Sequence, residues 1–323
     1  MSRGEPLPGA PSLTQPIAEE KHVPTFEEFS KEWYETYVMT VNKHSEQYTK
    51  EGVLRVHLVP FFGQTPIDKI SAYQIEQFKS LKVKAKLNPK TINNFLACLR
   101  KCLQSAIDWE KISTMPKMKK FPIDGGRIDF LSPIESAQLL TDTGHPTING
   151  MTLMGLRTGM RFGELIGLDW SDVDLDKRRI NVKRNKVMGK IGTPKNGKTR
   201  SIDIASDLHA YLIQQPKKKG AVFQLQDGRE LTHHLALNAL KRSCERVNVR
   251  KVSWHVLRHT TASQLVAEGV PLNVVKELLG HSNILMTMKY AHLAPSAIKD
   301  AVELFSKIEQ RELNKIGTET ALT

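Results

Sequence analysis

Residues 115–130 read MPKMKKFPIDGGRIDF, and no helix or strand runs through such a stretch. Two prolines fix φ and remove backbone donors, an adjacent glycine pair loosens the chain, and the basic residues leave little apolar surface to bury. The segment therefore reads as an extended linker. It divides a chain of 323 residues into two parts, each long enough for its own core. The expected organisation is a tail at residues 1–23, a helical domain at 24–114, the linker at 115–130, a second domain at 131–305 and a C-terminal tail at 306–323.

Residues 1–23 carry four prolines and no apolar stretch. They lack both the hydrophobic region of a secretory signal and the surface needed to form a core, so a disordered tail on a cytoplasmic protein is expected. Cys98, Cys102 and Cys244 are an odd set that cannot all pair, and they are read as reduced core residues. No run approaches the roughly 18 apolar residues of a membrane span, so no membrane partner is expected. Lysine and arginine outnumber acidic residues by 47 to 34, a formal charge of +13. Such an excess draws a chain to a polyanion, and nucleic acid is the expected partner.

From Pro24 the pattern turns helical: Phe26, Phe29, Trp33 and Tyr37 fall three or four apart and share one face, a core stripe. Thr25 and Glu28 have the spacing of a capping box at its start. Further helical windows at 45–61, 71–83 and 89–109, broken at Gly63, Pro66 and the Asn88–Pro89 step, bring the first domain to about four helices. In the second domain Ser132 and Glu135 repeat the capping signature, and residues 147–158 form a mostly apolar helix. Residues 179–184 and 200–205 alternate polar with apolar, so two short strands flank a Gly-rich turn. Helices return at 231–247, 256–268, 271–279 and 295–311. The fold class is mainly α with a small antiparallel sheet in the second domain.

Several polar residues stand where a core would not choose them: Arg161 and Glu164 in TGMRFGEL, Lys195 in the turn, His255, Arg258 and His259 in HVLRH, His281 in LGH, and Tyr290. His255 and His259 are four apart, as zinc ligands on a helix are, but Val256 stands where that motif requires glutamate. No metal is expected, and His259 is read as supporting the helix or contacting its neighbours. Residues 192–199, GTPKNGKT, match the phosphate-loop pattern letter for letter. A nucleotide loop opens directly into a helix, whereas this one precedes a strand-like alternation and contains an Asn–Gly hairpin signal, so no nucleotide cofactor is expected.

In their order and spacing from Met151 to Tyr290, these segments resemble the tyrosine recombinase, or phage integrase, family. The resemblance is close over the second domain and in outline over the first. It implies an N-terminal helical core-binding (SAM-like) bundle and a mostly helical catalytic domain of the DNA breaking-rejoining fold, which together clamp a duplex. It also implies Arg161, Lys195, His255, Arg258, His281 and Tyr290 as the catalytic set.

The residue types suit that chemistry. Attack on a phosphodiester builds charge on the nonbridging oxygens, and an arginine fork matches them, which makes Arg161 and Arg258 the clamp. A phenol is a poor nucleophile in water but an adequate leaving group, so a Tyr290 linkage is reversible. Histidine titrates near neutrality, and His255 and His281 divide hydrogen bonding and proton transfer in a way the sequence leaves open. The resemblance gives Lys195 the role of protonating the departing 5′ oxygen from the minor groove, with Lys198 as rival. Glu164 orients Arg161 or pairs with a nearby cation. Ala297, Ala301, Leu304, Phe305 and Ile308 form a stripe that docks on a neighbouring subunit or folds back.

The implied partners are double-stranded DNA at specific sites, a homotetramer on that DNA, and accessory directionality proteins. Integration or excision of a mobile element is the first reading and Xer-like dimer resolution the second. The short N-terminus leaves no room for an arm-site domain, which favours a simple target site. Two rivals stand beside recombination. A type IB topoisomerase shares the nucleophile, and a non-catalytic DNA-binding regulator would use residues 269–280, which resemble part of a helix-turn-helix.

Overall fold

The computed structural model describes residues 23–123, 126, 128–194, 197–216, 218–225, 227, 230–295, 303, 304 and 306–314. The expected N-terminal tail, apart from Val23, lies outside the described residues, as do Lys195 and much of the 295–311 window. The chain divides into two compact units, one up to Gly125 and the other from Gly126.

The first unit holds four helical runs among the described residues. The first begins at Phe26–Trp33, where the Thr25 amide donates to Glu28 Oε2 at 2.9 Å and the Glu28 amide returns to Thr25 Oγ1 at 3.3 Å. It continues through a π-turn at Tyr34–Val38 into Met39–Val41. That wider turn shifts the register by one residue. Val38 therefore takes the inward place predicted for Tyr37, which is only half-buried and stacks on Trp33 at 5.9 Å. The second run, His44–Val53 through Val59–Phe62, carries another π-turn at Leu54–Leu58. Ala72–Lys84 and Pro89–Asp108 complete the set, the latter capped by Asn88 with proline in its first turn. Trp33 Nε1 donates to Ser105 Oγ at 2.9 Å inside the core, so the one polar atom of a buried indole is satisfied.

The first part of the predicted linker is extended but tied down. Lys79 Nζ donates to the Lys119 carbonyl at 3.0 Å, and the Asn93 amide pairs with both the N–H and the carbonyl of Phe121 at 2.9 and 3.0 Å. Met115 and Met118 pack on the core of the first unit.

The second unit is built on Pro133–Leu140, Pro146–Thr158, Phe162–Ile166, Ser206–Ile213, His233–Arg246, Trp254–Ala267 and Leu272–Leu279. Strands β1 (Val173–Asp174), β2 (Arg179–Val182) and β5 (Arg200–Asp203) form an antiparallel sheet in the order β1-β2-β5. Ile180 faces Ile202 across it, and both lie in the core. The sequence reading found β2 and β5 but not the separate hairpin of β3 (Asn185–Val187) and β4 (Lys190–Gly192). β4 is exposed throughout, and β3 is half-buried at Asn185 and Lys186 and exposed at Val187, so neither has a fully buried face to leave an alternating pattern. Residues 303, 304 and 306–314 are helical, with Leu304, Ile308 and Leu313 exposed, so this helix reaches into the segment predicted as tail. Among the described residues no helix is long and apolar enough to cross a membrane.

Candidate active site

The Pro146–Thr158 helix stops at Gly159, whose φ of 60° suits glycine and whose added Cβ would lie 2.5 Å from Leu279 Cδ2. The reversal delivers Arg161 to the start of the Phe162–Ile166 helix. Its amide donates to Glu164 Oε2 and its Nη1 to Oε1, both at 2.9 Å. Glu164 is 1% exposed, and it does orient Arg161, as its place three residues on suggests. It also receives Arg200 from β5, Nη2 to Oε2 at 2.8 Å and Nη1 to Oε1 at 3.1 Å. Burial raises the Glu164 pKa, but hydrogen bonds and charge from Arg200, then from Arg161, outweigh it and leave the acid below its usual range. One buried carboxylate thus serves two guanidiniums.

Arg258, on the Trp254–Ala267 helix, is 2% exposed. It donates Nη1 to the Gly159 carbonyl at 2.7 Å and Nη2 to the Leu279 carbonyl at 2.8 Å. Burial, then the charge of Arg161, pulls its pKa down to about 9, so it stays protonated at neutral pH. His281 follows Gly280, which has a φ of 65° and lacks the Cβ that would sit 2.9 Å from Arg200 Cδ. Arg200 Nε donates to the Leu278 carbonyl at 3.0 Å. His281 Nδ1 lies 2.9 Å from Thr287 Oγ1. Burial, then the charges of Arg258, Arg161 and Arg200, drives its pKa to about 3, so the imidazole is neutral. Arg161, Lys198, Arg200 and His281 line a recess of about 630 Å³.

Tyr290 sits between the Leu285–Met288 helix and the Ala291–Leu293 turn, 3% exposed and packed with Ala262, Val266, Val275 and Leu279. Its Oη is 2.5 Å from His259 Nδ1. Burial raises the phenol pKa against the opposing charge of Arg258. Burial, then the charges of His255, Arg258 and Lys289, lowers His259 to about 4. His255 is exposed on the same helix, its ring packed edge-on against His259 at 4.4 Å.

Arg161, Arg258 and His281 thus share one cationic patch, Tyr290 feels the same Arg258 charge, and His255 joins through His259. Lys195 lies outside the described residues, while its rival Lys198 lines the recess. The phosphate-loop pattern at 192–199 leads into strand β5 and not into a helix, so no helix N-terminus stands there to receive phosphates.

The family described as "Phage integrase family" matches residues 136–297, a span that contains every one of these side chains. The chain belongs to the phage integrase family. The N-terminal SAM-like domain of phage integrases matches residues 25–83 of its first unit. This integrase-family chain is 27% identical over 306 residues to a "Tyrosine recombinase XerC-like" protein of Caldanaerobacter subterraneus subsp. tengcongensis, covering 82% of this chain and 76% of that one. It is 26% identical over 302 residues to the integrase of Escherichia phage 186, covering 87% and 81%. The Tn1549 transposon integrase, solved in complex with a circular intermediate DNA, shares its fold with a TM-score of 0.72 at 21% identity, covering 88% of this chain and 99% of that one.

Two features of the integrase site escape sequence reading. Arg200 looks like the exposed polar member of an alternating strand, and only tertiary packing turns it toward Glu164. His259 carries no sequence signal that its partner is the tyrosine 31 residues later.

Proposed function

We propose that Tyr290 is the nucleophile through which this tyrosine recombinase cuts and rejoins duplex DNA at specific sites. The observation that carries the reading is the convergence of Arg161, Arg258 and His281, from three separate segments, beside a buried tyrosine. The guanidiniums hold the scissile phosphate and absorb charge as it becomes pentacoordinate. Tyr290 Oη attacks phosphorus and the 5′ oxygen leaves, protonated by Lys195, giving a 3′-phosphotyrosyl linkage and a free 5′ hydroxyl. The hydroxyl of the partner strand then attacks that linkage. Each step exchanges one phosphodiester for another, so the bond is conserved without ATP.

Exchange between two duplexes calls for four copies of the chain, a homotetramer on a four-way junction, with accessory proteins setting direction. Integration or excision of a mobile element is the task that best matches the relatedness to a phage integrase. The relatedness to a XerC-like recombinase favours dimer resolution as the second reading. Either task places the protein on cytoplasmic, nucleoid DNA.

The test is incubation of wild type and Tyr290→Phe with end-labelled DNA that carries the native attachment region and a nick to trap cleavage. A protein-linked band on a denaturing gel, absent in the variant, is the expected result. A bound, correct site that gives no covalent band would defeat the proposal in favour of a non-catalytic regulator.

A further inference from the structure

The sequence leaves the proton of the nucleophile without an assigned acceptor and offers His255 and His281 for it. His281 is engaged through Nδ1 with Thr287 Oγ1 at 2.9 Å. His255 is exposed and presents its ring to His259. The imidazole that reaches the tyrosine is His259, Nδ1 to Oη at 2.5 Å, a short contact in a site where Tyr290 is 3% exposed.

We propose that His259 is a catalytic residue, accepting the proton of Tyr290 as the phenol oxygen attacks the scissile phosphate. This rests on the reading of Tyr290 as nucleophile. With its own proton on Nε2, the imidazole presents the Nδ1 lone pair to the hydroxyl. The hydroxyl donates its hydrogen there and keeps an oxygen lone pair for phosphorus. In the step itself the Oη–H bond breaks, its proton passes to Nδ1, and His259 becomes imidazolium. The Oη–P bond forms as the P–O5′ bond breaks, and the departing oxygen takes a proton from the general acid assigned to Lys195. In the return reaction the imidazolium gives the proton back to the leaving phenolate.

The surroundings suit the role. His255 and Arg258 from the same helix, Lys289 beside Tyr290, and Asp129 from the chain preceding Leu131 bear on His259, which is also coupled to His281 and bonded to Tyr290. Their sum with burial keeps it neutral at physiological pH, in the form that can accept a proton. A phenol loses basicity steeply as its oxygen becomes an aryl phosphate ester. A base weaker than phenolate is therefore sufficient once bond formation is under way. The imidazolium that results is countered by the bound phosphate.

The test measures single-turnover formation of the covalent complex on the nicked attachment-region duplex, from pH 5 to 10, for wild type, Tyr290→Phe, His259→Phe and His259→Asn. Gel-shift binding and thermal melting first establish which variants fold and bind. Wild type is expected to be flat above about pH 6. His259→Phe is expected to fall by about 100-fold at pH 7 and to recover roughly tenfold per pH unit as hydroxide replaces the base. His259→Asn offers a carbonyl oxygen near the place of Nδ1 but cannot carry the proton away, so it should fall likewise and regain rate with pH.

Full activity of His259→Asn with a flat profile would overturn the proposal, leaving only a positioning contact. Unchanged or faster cleavage by His259→Phe would overturn it as well. Absence of adduct in wild type, or adduct in Tyr290→Phe, would instead defeat the nucleophile assignment itself, so the two failures are distinct.

Discussion

Arg200 and Glu164 form a two-bonded pair 36 residues apart in the chain, with N–O distances of 2.8 and 3.1 Å. The same carboxylate holds Arg161 at 2.9 Å, and its side chain is wholly buried. Two like charges can be kept side by side, open to a phosphate, because a buried acid behind them cancels part of their repulsion.

Removing that acid should be costly. Glu164→Ala leaves two guanidiniums without their counter-charge, and the second unit is expected to lose about 3–5 kcal/mol. Urea unfolding followed through tryptophan fluorescence checks this, Trp170 and Trp254 both lying in that unit. A loss below about 1 kcal/mol would show that water enters and replaces the pair.

Arg200 lines the recess with Arg161 and His281, so it should contribute to holding a phosphate. Arg200→Ala is expected to slow covalent-complex formation by about 100-fold, with a smaller effect on gel-shift affinity. Equal losses in binding and cleavage would make Arg200 a ground-state contact only.

Acid should destabilise the second unit early. The folded pKa values of His259 and His281 lie at about 4 and about 3, below the ordinary 6.5. Between those limits the unfolded chain binds protons that the folded chain refuses, so stability is full above about 6.5 and falls as pH drops toward 4. The urea midpoint should therefore be lower at pH 5 than at pH 7.5, with a smaller decline in His281→Asn. A midpoint constant over that window would mean that water reaches both rings.

The pinned start of the linker predicts a protease pattern. Asn93→Ala removes both bonds to Phe121, and Lys79→Ala removes the one to Lys119. Lysines 117, 119 and 120 should then be cut by trypsin several-fold faster than in wild type. Equal rates would show that Met115 and Met118 hold the segment by packing alone.

Chelation should leave activity intact. On the proposed reading arginine supplies the charge that a metal would supply in other phosphoryl-transfer enzymes, so covalent-complex formation in excess EDTA is expected to match that in its absence. Abolition by the chelator, reversed by added divalent metal, would contradict the scheme.

The parts that could be read from the sequence are those written in local chemistry. The Thr25 and Ser132 capping boxes, the Asn88–Pro89 start and the apolar stripe of the first helix are short-range signals, and the helices begin where those signals stand. Tyr37 packs on the margin of the core and Val38 takes the fully buried place, because a π-turn changes the helical period and nothing in YETYV announces it. The β3–β4 hairpin was invisible for want of a buried face. At the site, residue types and their order pointed to the cationic patch. The pairing of Arg200 with Glu164 and of His259 with Tyr290 is set by the packing of distant segments, which periodicity does not encode.

The two carbonyls that hold Arg258 belong to Gly159 and Leu279, the ends of helices far apart in the chain. The arginine has a fixed direction only when both helices are complete and packed. A nascent chain still missing Leu272–Leu279, or a damaged one in which that helix has frayed, has no anchored guanidinium at Arg258. The fold thereby acts as a safety catch: the Arg258 guanidinium is held in one direction only after Leu272–Leu279 has packed.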